Sequence, residues 1–126
     1  MRNDKQNLIV DLSFQFALQV IDFVETLNSQ NKKVIPLQLL KSGTSIGANI
    51  WEAQNAESKK DFIHKFKIAA KEADETAYWL KLCQASKHYP SPNKLMEQLT
   101  SVQKVTSKII SSSKSSSNHQ IDESSN

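Results

Sequence analysis

The only two glycines of this 126-residue chain, Gly43 and Gly47, stand four apart in one stretch, QLLKSGTSIGANIWEAQ, residues 38–54. Around them apolar or small residues recur at Leu39, Leu40, Ile46, Ile50 and Ala53. That spacing of three and four makes one stripe of an α-helix. A glycine inside a helix costs about 1 kcal/mol against alanine. Two of them on the inward stripe predict a helix crossing so close that no β-carbon fits. A polar row, Ser42, Ser45, Asn49 and Glu52, runs along another side of the same helix.

A close crossing needs a partner with a shallow face, and the stretch after Ser58 offers one. Its apolar stripe reads Phe62, Phe66, Ala69, Ala70, Ala73, Ala77, Leu80, with alanine through the middle. The expectation is that Gly43 and Gly47 pack directly against Ala69 and Ala73. Ser58 is placed to cap this helix, and Asp61 three residues on completes a capping box. The helix should end near His88 or Tyr89. Ahead of the glycine stretch, Leu12, Phe16, Val20, Phe23, Val24 and Leu27 form the stripe of a first helix. It begins between residues 7 and 11 and ends near Ser29. Phe14, Leu18 and Ile21 lie off that stripe, and apolar residues beyond what one core needs point to an interface. The segment NSQNKK is a polar loop, and Pro36 suits the first turn of the glycine-bearing helix. The segment Tyr89-Pro90-Ser91-Pro92 stops one helix and starts another, with Ser91 as cap and Pro92 in the first turn. Leu95, Leu99, Val102, Val105 and Ile109 face inward from the fourth helix, which should fray near Ile110 or Ser111.

Four helices with short loops predict an all-α, antiparallel up-down-up-down four-helix bundle over residues 1–110. No alternating run between turn signals suggests a strand, and the scarcity of glycine and proline agrees with a helical fold. Residues 111–126, SSSKSSSNHQIDESSN, hold too little apolar surface to offset their ordering entropy and are expected to be a disordered tail.

The side chains that carry chemistry are scattered. His64, His88 and His119 share no helical spacing with another ligand, so no metal site and no cofactor are expected. Cys83, the only cysteine, sits among Trp79, Leu80 and Leu82 and reads as a buried thiol. Ser45, Asn49 and Glu52 have no histidine or lysine base beside them in sequence. They read as partners of a neighbouring helix or as the lining of a solvated seam. No catalytic constellation results. With no signal-like start and no long apolar run, the chain reads as soluble and cytoplasmic. The formal charge of +3 and pI near 9.0 permit an anionic partner without requiring one. Lys59, Lys60, Lys65 and Lys67 cluster at the start of the third helix and are the candidate contacts to RNA or DNA. Repeated around an oligomer, they would form a larger basic surface.

Two segments, SGTSIGANIWEA (residues 42–53) and SKKDFIHKFKIAAKEADETAYWLKL (residues 58–82), resemble a known family. The likeness spans residues 7–89. It is to bacterial four-helix-bundle proteins whose founding members are encoded in intervening sequences of 23S ribosomal RNA genes. The resemblance implies an antiparallel bundle and assembly as a homopentamer around a central channel. A related group resembles accessory proteins of diversity-generating retroelements, basic pentameric barrels that bind nucleic acid and a reverse transcriptase. The family has no agreed catalytic residues to carry over. The function expected is a non-catalytic oligomeric scaffold associating with RNA or DNA. The alternative is a protein–protein adaptor with no nucleic-acid role. Neither a small-molecule substrate nor a membrane is implied.

Overall fold

The computed structural model describes the backbone of residues 4–125 and the side chains of residues 8–115. Four helices fill it: α1 (Asp4–Ser29), α2 (Val34–Ala53), α3 (Lys59–Ala85) and α4 (Asn93–Ser125). No strand occurs among the described residues.

Local chemistry sets the helix ends. Past α1, Asn31 takes a left-handed backbone, φ 61°, a conformation that asparagine tolerates better than most residues. Its N–H reaches the Asn28 carbonyl at 3.0 Å, and the N–H of Lys32 reaches the Leu27 carbonyl at 2.9 Å. This pair of bonds is a Schellman closure, which satisfies carbonyls that the helix end would leave open. Pro36 falls in the first turn of α2, where its missing N–H has no intrahelical partner to lose. Ser58 caps α3 by accepting from the Asp61 N–H at 3.0 Å. Asp61 reaches back to accept from the Glu57 N–H at 3.3 Å. Ser91 accepts from the Asn93 N–H at 3.3 Å. The Pro92 carbonyl accepts from Met96 at 3.0 Å, so Pro92 stands immediately ahead of α4, one residue before the first-turn place expected for it.

The order of cross-helix contacts makes each neighbouring pair antiparallel. Glu52, late in α2, meets Lys65, early in α3, while Ser42, early in α2, meets Thr76, late in α3. Between α1 and α2, Gly43 approaches Val20 and Gly47 approaches Ser13. Between α3 and α4, Gln84 bonds Asn93 and Asp74 accepts from Gln103. α4 also packs on α1, and the diagonal pairs α1–α3 and α2–α4 do not come close. The helices therefore stand at the corners of a square. Ile9, Phe16, Val20, Leu39, Ile46, Ile50, Phe66, Ala69, Leu80 and Val102 meet at its centre, each at most 1% exposed.

The glycine crossing exists, but its partner is α1 and not α3. A β-carbon on Gly43 would lie 2.9 Å from Val20 Cγ2, and one on Gly47 would lie 3.2 Å from the Ser13 carbonyl oxygen. The alanines Ala69 and Ala73 are buried on α3 as expected, and α3 does pack along α2. It does so on the flank of α2 that carries Ser42 and Glu52. A helix in a square bundle touches two neighbours on adjacent flanks. The glycines and the polar row are those two flanks, and sequence spacing does not say which neighbour takes which.

Three boundaries differ from the sequence reading. α1 begins at Asp4, since nothing among its first residues breaks a helix. α3 stops at Ala85, where Ser86 turns to an extended backbone. α4 runs on to Ser125, past the end expected near Ile110 or Ser111 and into the segment expected to be disordered. That segment contains no glycine or proline, and serine lowers helix propensity without ending a helix.

Candidate assembly surface and charged faces

The α1 stripe that the core leaves over is exposed, as the surplus of apolar residues predicts. Phe14 is 52% exposed, Leu18 42% and Ile21 37%. Spaced by four and three, they form one outward line on α1. α2 adds a second line, Val34, Leu37 and Trp51, at 75%, 58% and 62%. Between the two lines lies a shallow groove of about 260 Å³, lined by Val10, Phe14, Ala17, Thr44, Gly47, Ala48 and Trp51. Thr44 Oγ1 donates to the Leu40 carbonyl at 2.7 Å, which leaves the groove with little polar character. The glycine crossing builds this groove. Because α1 and α2 approach so closely, Phe14 of one and Trp51 of the other line a single groove. Sequence reading found the α1 half and missed Trp51 and Leu37. Both are apolar residues off the inward stripe of α2, the same signal that gave Phe14, Leu18 and Ile21.

The polar row of α2 turns toward α3. Ser42 is fully buried, with its Oγ 2.9 Å from Thr76 Oγ1. Thr76 Oγ1 is also 2.7 Å from the Glu72 carbonyl. A threonine hydroxyl has one proton, so when Thr76 gives it to Glu72 the Ser42 hydroxyl donates to Thr76. Ser45 donates to the Lys41 carbonyl at 2.6 Å, and the Asn49 amide donates to the Ser45 carbonyl at 2.8 Å. Ser42 and Glu52 thus bond across to α3, while Ser45 and Asn49 bond the backbone of their own helix.

The four candidate lysines do not form one patch. Lys65 turns to α2 and meets Glu52 at 3.3 Å. With side chains 29% and 57% exposed, that pair contributes at most about 1 kcal/mol. Lys60 and Lys67 are exposed and seven apart, hence on one outer face of α3, and Lys71 extends the same line. Lys59 precedes Lys60 at the exposed first turn.

Among the described residues no group of three or more His, Cys, Asp or Glu could hold a metal. His64 and His88 are exposed; His119 lies outside the described side chains. Cys83 is buried, 3.7 Å from the Pro90 carbonyl. Burial pushes its thiol up from 9.0 to about 11, the opposite of what a nucleophile needs. No helix among the described residues is long and apolar enough to cross a membrane.

Comparison with known proteins agrees with this architecture. The family model described as 23S rRNA-intervening sequence protein matches residues 5–111. A similar chain is a protein of unknown function from the S23 ribosomal protein family of Bacteroides thetaiotaomicron, whose crystal structure is known. The two are 40% identical with a TM-score of 0.81, over 85% of this chain and 98% of that one. No curated protein matches.

Proposed function

The chain belongs to the 23S rRNA-intervening sequence protein family, and on that premise we propose that it is a non-catalytic scaffold that works by self-association. The observation that carries this is the apolar groove between α1 and α2, where Phe14 and Trp51 are each more than half exposed. Large contiguous apolar patches on a soluble chain mark interaction sites. Five copies is the number that the family resemblance implies. Light scattering at micromolar concentration tests the reading. The mass should be several times 14.2 kDa, and Phe14→Glu or Trp51→Glu should lower it toward one chain. A single-chain mass for the wild type removes the proposal.

A second reading is contact with RNA or DNA through the start of α3, favoured by the exposed line Lys60, Lys67 and Lys71. Each neutralised phosphate releases counterions, so such binding weakens steeply with salt. A Lys59/Lys60/Lys65/Lys67→Ala variant should leave a polyanion column at lower salt than the wild type. Equal elution rejects this reading. A partner captured equally well after nuclease treatment favours an adaptor instead.

A further inference from the structure

We propose that copies of this chain join head to tail, the outer face of α1 in one copy against the outer face of α3 in the next. The proposal rests on the self-association reading and specifies which surfaces meet. α1 and α3 occupy opposite corners of the bundle, so their outer faces point away from each other. A contact between two different faces is heterologous, and repeating it builds a ring or a filament.

The charges of the two faces are complementary. Over residues 8–29, α1 carries Asp11, Asp22 and Glu25 and no lysine or arginine. All three acids are exposed, and Asp11, Leu18 and Glu25, seven apart, run down the middle of the outer face. The outer face of α3 presents Lys60, Lys67, Lys71 and Lys81 with Asp74, Glu75, Tyr78 and Leu82, all exposed, so lysines outnumber acids there by four to two. Each face also has an apolar element, Phe14, Leu18 and Ile21 on α1 and Tyr78 and Leu82 on α3.

The register matches as well. Gly43 touches Val20, and its neighbour Ser42 bonds Thr76, so Val20 and Thr76 stand at one level of the bundle. α1 and α3 run in the same direction, each being antiparallel to α2. Counting back equally from that level pairs Asp11 with Lys67, and counting forward pairs Glu25 with Lys81. The exposed acids of α3, Asp74 and Glu75, fall level with Leu18 and Gln19, where α1 has no charge to repel them. A closed ring has no rise between subunits. With its axis along the helices, groups at one level therefore meet across the contact. Opposite charges so placed select this pairing over a contact of α1 with its own copy, which would set acid against acid.

Charge reversal tests this. Asp11→Lys/Glu25→Lys and Lys67→Glu/Lys81→Glu change exposed residues only, so circular dichroism should report wild-type helix content. Light scattering should show each variant falling from the wild-type mass to that of a single chain, 14.2 kDa. The chain carrying all four changes should regain the assembled mass. If both reversals leave an oligomeric wild type intact, or the fourfold variant stays single, the proposal is overturned while self-association stands. A wild type that is itself single overturns both. Loss of polyanion retention by Lys67→Glu/Lys81→Glu at unchanged mass assigns the lysines to a polyanion and also overturns it.

Discussion

Gly43 is the residue with least freedom to change. Its missing β-carbon would sit 2.9 Å from a methyl of Val20. That methyl belongs to a fully buried, β-branched side chain that cannot swing aside. Overpacking costs about 1–3 kcal/mol, against a propensity gain of about 1 kcal/mol for alanine over glycine. Gly43→Leu should therefore melt well below wild type. Gly43→Ala combined with Val20→Ala should be less destabilised than the two single changes sum to, because the methyl that clashes is gone. At Gly47 the neighbour is the Ser13 carbonyl oxygen at 3.2 Å, part of a helix backbone that yields less than a side chain would. Cys83 makes a different prediction. Its folded pKa, about 11, is above its ordinary 9.0. Between those values the unfolded chain has released the proton and the folded chain has kept it. Stability from this group is thus fully present below pH 9 and declines as pH rises toward 11, with a limiting slope of about 1.4 kcal/mol per unit. Denaturant midpoints across that range should show the decline, and Cys83→Ala should flatten it. Both glycines were conspicuous in the sequence, and so was the thiol's apolar setting. The identity of the glycines' partner was not, because Val20 and Ala69 are equally acceptable neighbours by composition.

At the level of whole helices, ends and faces obey different causes. Caps are local, and Ser58, Asp61, Ser91 and Pro92 were readable because a side chain and its backbone partner lie within a few residues. Ser58→Ala should cost about 1 kcal/mol, the usual value of a helix N-cap, seen as a lowered denaturation midpoint. α4 is the contrasting case. Ile109 is the last buried residue among those described, and Ile110 is half-buried. Removing residues 116–126 should therefore leave the melting temperature near that of the full chain, whatever conformation they hold. A large drop would mean that they pack on something. The polar row of α2 shows how faces differ from ends. Its period was plain, but its burial against Thr76 follows only from α3 lying on that flank.

For the molecule as a whole, the square of four helices leaves α1 and α2 with an apolar face larger than one core can use. If copies associate through the α1 part of it, unfolding is coupled to dissociation, and the apparent melting temperature should rise with protein concentration. A temperature constant over a hundredfold dilution would indicate a chain that works alone. Salt adds a second readout. Exposed charge pairs are screened over about 10 Å at 0.1 M, while apolar burial is not, so an assembly that loosens only in part at high salt draws on both.

By itself the sequence determined four helices, their order, most of their caps and the inward stripe of each, because periodicity and capping depend on residues close along the chain. It also announced a close crossing at Gly43 and Gly47 and surplus apolar residues on α1. Tertiary structure alone decided that α1 fills the glycine flank, that Ser42 and Glu52 face α3, and that Lys65 parts from Lys60 and Lys67. Those outcomes depend on which neighbour takes each flank of a helix and on the register between distant segments, and spacing within one helix carries no information about either.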